Sequence, residues 1–129
     1  MLDDPLANMM SLILNSELIG KSECLIKPVS KVIKEALKVM KENGYVGEFK
    51  EFEDGRGNYI KLNLIGGINK CGVIKPRYSV KNNNFEKFET RYLPAKDLGI
   101  LFVSTPSGIM THYDAKSKKT GGRLLAYCY

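Results

Sequence analysis

The spacing of apolar positions changes several times along this chain, and each change marks an element. Leu6, Met9, Met10, Ile13 and Leu14 recur at the three-and-four interval of a helix packed on one face. Asp4 as cap and Pro5 at the first helical position mark its start, and Gly20 can end it. Cys24 to Lys27 reads as a short strand closed by Pro28. A second helix is predicted from near Ser30, with Val32, Ile33, Ala36, Leu37 and Met40 as its apolar stripe, and Asn43-Gly44 stops it. The interval then drops to two. Ile60, Leu62 and Leu64 alternate with Lys61 and Asn63, the pattern of a half-buried strand. Residues 45–52 and 59–65 are therefore two strands, joined through the glycine-containing turn Asp54-Gly-Arg-Gly-Asn58. Helix, strand, helix, strand, strand predicts an α+β lobe over residues 1–66.

Gly66-Gly67 is the expected lobe boundary, and residues 67–129 form the second lobe. Residues 68–75 read as a strand, and 76–84, with three consecutive asparagines, as an exposed polar loop. Phe85, Phe88 and Tyr92 add apolar weight up to Pro94, and no element is assigned to this stretch. Residues 99–103 form a strong strand, followed by the polar loop Ser104-Thr105-Pro106-Ser107-Gly108. Thr111 and Asp114 have capping-box spacing, so a short helix follows. Residues 123–129 close the chain as a strand. The second lobe is thus mostly β with one short helix, and the fold class is α+β in two small lobes.

Charge changes this picture most. The chain has 129 residues, a net charge of +6 and a pI near 9.2. Residues 1–65 hold nine lysines and arginines against ten carboxylates, net −1; residues 66–129 hold eleven against four, net +7. Such a one-sided field favours a polyanionic partner. The three cysteines, Cys24, Cys71 and Cys128, lie far apart, and the only histidine is His112. That is too sparse for a closed zinc site or a disulfide scaffold, so the cysteines are expected to stay reduced and apolar. No apolar run is long enough to span a membrane, and Asp3 and Asp4 stand where a signal peptide would be positive.

Catalytic patterns fail one by one. Gly20-Lys21-Ser22 resembles the end of a phosphate-binding loop, but the motif's first glycine is replaced by Asn15, and helix precedes strand here rather than the reverse. His112 has no evident nucleophile or orienting acid, and it reads as a polar surface residue, with Asp114 a capping residue. The loop 104–108 remains. Its hydroxyls can donate to phosphate and ribose oxygens, and Gly108, Gly121 and Gly122 permit close approach of a backbone. Lys116, Lys118, Lys119 and Arg123 supply positive charge beside it.

The order GILFVSTPSGIM followed by GGRLLAYCY resembles the family of small-subunit ribosomal protein number eight. Asp4-Pro5-Leu-Ala7 opening the first helix, and Lys27-Pro28-Val-Ser30-Lys31 before the second, extend the resemblance over essentially the whole chain. Lys75-Pro76-Arg77 through Arg91-Tyr92-Leu93-Pro94, then Asp97-Leu98-Gly99, is similar to its archaeal and eukaryotic branch. The resemblance implies a non-catalytic, cofactor-free structural protein of the cytoplasmic ribosome. It implies direct binding to the central domain of small-subunit ribosomal RNA, help in assembling that domain, neighbouring small-subunit proteins as partners and no membrane. It also implies repression of its own mRNA as a potential second activity. By position it assigns RNA contact to Ser104, Thr105, Ser107 and Gly108, with Gly121, Gly122 and Arg123 beside them, and to Asp4, Pro5, Asn8, Ser30 and Lys31 in the first lobe. Pro106 stands where many members have Ser or Thr, Arg123 where bacterial members have Glu, and the first helix lacks their basic residues; these departures shift the expected weight of binding to the second lobe. The alternatives are a free-standing RNA-binding translational regulator and a small enzyme using Lys21-Ser22 or His112.

Overall fold

The computed structural model describes residues 5–27, 30–53, 55, 57–74, 77–81, 84–95 and 98–129. The chain forms two compact units, Met1–Asn69 and Lys70–Tyr129. Asp4 lies outside the described residues.

In the first unit, α1 (Pro5–Leu18) and α2 (Lys31–Glu42) pack on one face of a three-stranded antiparallel sheet. The sheet is built from β1 (Glu23–Ile26), β2 (Val46–Glu53) and β3 (Asn58–Leu64) in the order β1-β3-β2. Leu6, Met9, Met10 and Ile13 of α1 are buried, as are Ile33, Ala36, Leu37 and Met40 of α2 and Cys24, Ile26, Ile60, Leu62 and Leu64 of the strands. Gly20, at φ +76°, ends α1 in the left-handed conformation, and Lys21 N–H returns to Ser16 O at 2.9 Å. Ser30 caps α2, its Oγ accepting from Ile33 N–H at 3.3 Å. Val32, expected in the α2 stripe, is exposed, and Val39 is buried in its place. Both border the stripe two turns apart, so periodicity does not choose between them; packing does. Cys24 is buried, and desolvation, with Glu17 adding and Lys21 opposing, pushes its thiol up to about 11. All three cysteines are buried and free.

The second unit is a five-stranded antiparallel sheet with helices. Its strands are β4 (Cys71–Val73), β5 (Ser79–Val80), β6 (Ile100–Thr105), β7 (Gly108–Thr111) and β8 (Gly122–Cys128), and its helices α3 (Phe85–Tyr92) and α4 (His112–Ser117). The order is β4-β8-β6-β7, with β5 pairing β8 as well. One edge of β8 is thus covered twice, by β4 opposite residues 126–128 and by β5 opposite Gly122 and Arg123. Between these partners β8 bulges against β6: Phe102 faces Ala126, but Val103 faces Leu124. The bulged Leu125 gives its carbonyl to Ile74 N–H at 2.9 Å.

Three expectations change here. The strand expected over 68–75 is confined to residues 71–73, although Lys70 and Tyr129 already exchange both backbone hydrogen bonds. The segment 76–84 is not only an exposed loop, since Ser79–Val80 pairs with β8 and Val80 is buried. The unassigned 85–92 stretch is a helix whose Phe85 and Phe88 enter the core with Leu101, Val103, Met110 and Leu124. Phe85, Phe88 and Tyr92 keep the three-and-four spacing of a helix, so this element is legible in the sequence.

Candidate nucleic-acid interface

The residues 104–108 do not form an open loop. Ser104 and Thr105 finish β6 and Gly108 begins β7, so only Pro106 and Ser107 remain in the turn of a tight hairpin. Gly108 has φ +117° with open space around it, so backbone conformation rather than crowding calls for glycine. Thr105 is buried, and its hydroxyl is occupied within the turn. Its Oγ1 donates to Gly108 O at 2.8 Å and accepts from Ser107 N–H at 3.2 Å. Thr105 shapes the hairpin, while Ser104 and Ser107 are exposed on it.

The neighbouring glycines act through space. A Cβ on Gly122 would lie 2.2 Å from Ser104 O, and one on Gly121 would lie 2.4 Å from Val80 O. Any side chain at either position would push β6 or β5 away from β8. Their absence lets three strands close up at this end of the sheet. Arg123 then stands directly opposite Ser104 on one side and Ser79 on the other. Directly opposed residues share a face of the sheet. The result is a cross-strand row, Ser79–Arg123–Ser104, with all three residues exposed and a guanidinium between two hydroxyls. Such a row sets hydroxyl and guanidinium groups, which are able to bond phosphate or sugar oxygens, side by side on one face. Ser79 was not legible as part of it, because the two-residue strand carrying it lies in a polar stretch with no strand pattern.

Positive charge surrounds the row. Lys81 follows Val80, the partner of Gly122, and Lys118 and Lys119 end α4 just before Gly121; all three lysines are exposed. Thr111 Oγ1 accepts from Asp114 N–H at 3.2 Å and so caps α4 as its spacing predicted. Lys119 adopts φ +53°, a left-handed conformation uncommon for a residue with a Cβ. Lys116, by contrast, is committed inward: its Nζ bonds Glu89 Oε1.

His112, expected at the surface, is fully buried. With Thr111 as cap, the first helical residue turns inward. Its Nδ1 accepts from Leu101 N–H at 3.0 Å, and Nε2 faces Glu89 Oε1 at 2.9 Å. An accepting Nδ1 places the proton on Nε2. The ring ties α4 to β6 and to α3 and leaves neither nitrogen poised for a reaction. Among the described residues no group of three or more histidine, cysteine, aspartate or glutamate side chains is placed to hold a metal ion. Among those residues, too, no helix is long and apolar enough to cross a membrane.

The remaining candidate residues belong to the other unit. Pro5 begins α1, and Asn8 is exposed on it. Lys31 begins α2 and is exposed, next to Ser30, whose hydroxyl serves the cap.

Fold and surface together define the class: a two-unit α+β protein whose second unit carries an excess of positive charge. The chain belongs to the ribosomal protein S8 family, whose model matches residues 4–129. Membership makes it a structural, non-enzymatic protein of the small ribosomal subunit that binds small-subunit ribosomal RNA among other ribosomal proteins.

Proposed function

We propose that the end of the second sheet is the principal RNA contact, and that the target is the central domain of small-subunit RNA, which the protein helps to fold during assembly. The observation carrying this reading is the exposed row Ser79–Arg123–Ser104, closed up by two glycines that tolerate no side chain. Ser104, Ser107 and Ser79 donate and accept hydrogen bonds with backbone and 2′-hydroxyl groups, and Arg123, Lys81, Lys118 and Lys119 engage phosphates. Thr105 and Gly108 hold the turn, and Gly121 and Gly122 let the strands approach. Residues 67–129 form the binding lobe. Residues 1–66 add a lesser surface through Asp4, Pro5, Asn8, Ser30 and Lys31. The stretch from Lys75 to Gly99 supports the archaeal and eukaryotic branch of the family.

The test is a titration of the protein against a central-domain RNA fragment, with an unrelated duplex as competitor, at two salt concentrations. Binding that survives competitor and salt supports the reading. Equal, salt-labile binding to both RNAs overturns it and leaves charge attraction alone.

A further inference from the structure

The first unit carries a second surface with a different chemistry. Both helices cover one face of the β1-β3-β2 sheet, and the buried strand side chains point toward them. Side chains alternate along strands, so Leu25, Tyr59, Lys61, Lys50 and Phe52 share the opposite face. Leu25 is 58% exposed and Phe52 40%. Phe52 and Tyr59 are cross-strand partners with stacked rings, 5.4 Å between centroids and 23° between planes, and Lys27 Nζ lies 5.5 Å from the Tyr59 ring centre. A groove of about 730 Å³ runs from this face, at Leu25, Phe52, Tyr59, Lys61 and Glu23, past Lys21 and Cys24 to Leu12 and Ser16 of α1.

We propose that this open sheet face is a second RNA surface that takes an unpaired, single-stranded segment. A stacked aromatic pair on an open sheet face, with Phe52 exposed, Tyr59 half-buried and cations beside them, matches the two parts of a single-stranded nucleotide: a base stacks on the free ring face and the phosphate pairs with a cation. The charge arrangement points the same way. Lys50 and Lys61 stand directly opposite each other, a repulsive pair in isolation. Glu23 compensates Lys61 at 2.9 Å, and Glu48 is taken by Lys41 of α2 at 3.1 Å, while Lys50 has no ion pair among the described residues. A polyanion relieves that repulsion. An apolar protein partner would instead bury Lys50 without a counter-charge, which is unfavourable. The net charge of −1 over residues 1–65 hides this surface, because carboxylates such as Glu51 lie on the helix side, bonded to Lys34 at 2.8 Å.

The probe is a single-stranded oligoribonucleotide carrying 4-thiouridine, used with the full chain. Crosslinks to the wild-type protein are expected at Tyr59, Phe52 or Leu25. Tyr59→Ala and Phe52→Ala, each verified as folded by circular dichroism, are expected to weaken oligonucleotide binding by about tenfold or more. Both should leave binding to the structured central-domain fragment within about twofold, as expected when neither residue takes part in that contact. Ser104→Ala should show the opposite selectivity, so the two surfaces fail or stand separately. Crosslinks confined to the second unit, or unchanged oligonucleotide affinity in both variants, overturn the proposal. Poor incorporation of these variants into subunits with unchanged oligonucleotide binding also overturns it and assigns the face to a neighbouring protein.

Discussion

Two chemically similar hydroxyl residues in the hairpin, Ser104 and Thr105, have opposite tasks. Thr105 points inward and completes the turn, while Ser104 is exposed beside Arg123. Thr105→Val keeps the shape but removes both bonds, and it is expected to destabilise the fold by about 1–2 kcal/mol in urea denaturation. Ser104→Ala is expected to leave stability within about 0.5 kcal/mol, as for a surface change, and to weaken binding to the central-domain fragment by about 1–3 kcal/mol. Gly122 obeys a harder constraint. Its missing Cβ would sit 2.2 Å from a backbone oxygen, so no side-chain adjustment can relieve the clash. Gly122→Ala is expected to cost at least about 2 kcal/mol in the same assay, together with loss of RNA affinity as Ser104 and Arg123 separate.

At the scale of elements, exposed pairs join helix and sheet in the first unit. Lys34 of α2 reaches Glu51 of β2, and Asn58 Nδ2 also donates to Glu51, at 2.7 Å. The Lys34 ammonium first, and the Asn58 amide second, hold the Glu51 carboxyl below its ordinary range. A carboxyl with a lowered folded-state value stabilises the fold above its ordinary pKa, and the contribution fades as pH falls through the lowered value. Glu51→Gln is therefore expected to be slightly less stable than wild type at neutral pH and equal to it in acid. A stability difference that persists in acid would assign Glu51 a packing role instead. In the second unit the corresponding tie is partly buried: His112, fully buried, and Lys116 of α4 meet Glu89 of α3 at one oxygen.

At the scale of the molecule, charge is distributed by unit. The second unit's excess implies binding that weakens steeply with salt. Lys118→Ala with Lys119→Ala is expected to lower the slope of log affinity against log salt by about 0.7–0.9 for each phosphate that a lysine no longer neutralises. It should weaken all RNAs alike, whereas Ser104→Ala should act on the specific target only. An unchanged slope would mean that neither lysine touches a phosphate. The family match spans both units, residues 4–129, whereas the excess of positive charge lies in the second alone.

The sequence by itself determined the α+β class, the two helices and three strands of the first unit, and the family. These rest on period, caps and ordered motifs, all of which are local in the chain: Ile60, Leu62 and Leu64 alternate, Ser30 and Thr111 cap, and Gly20 ends a helix. Tertiary structure alone decided the rest. His112 is a core residue only because β6 offers it a backbone N–H and α3 a carboxylate. Ser79 joins Arg123 and Ser104 only because β5 pairs with the last strand of the chain. Val39 rather than Val32 is buried, a difference set by tertiary packing on α2 and not by its period. Each of these depends on residues far apart in the chain meeting in space, and local spacing carries no information about which distant surface a side chain will meet.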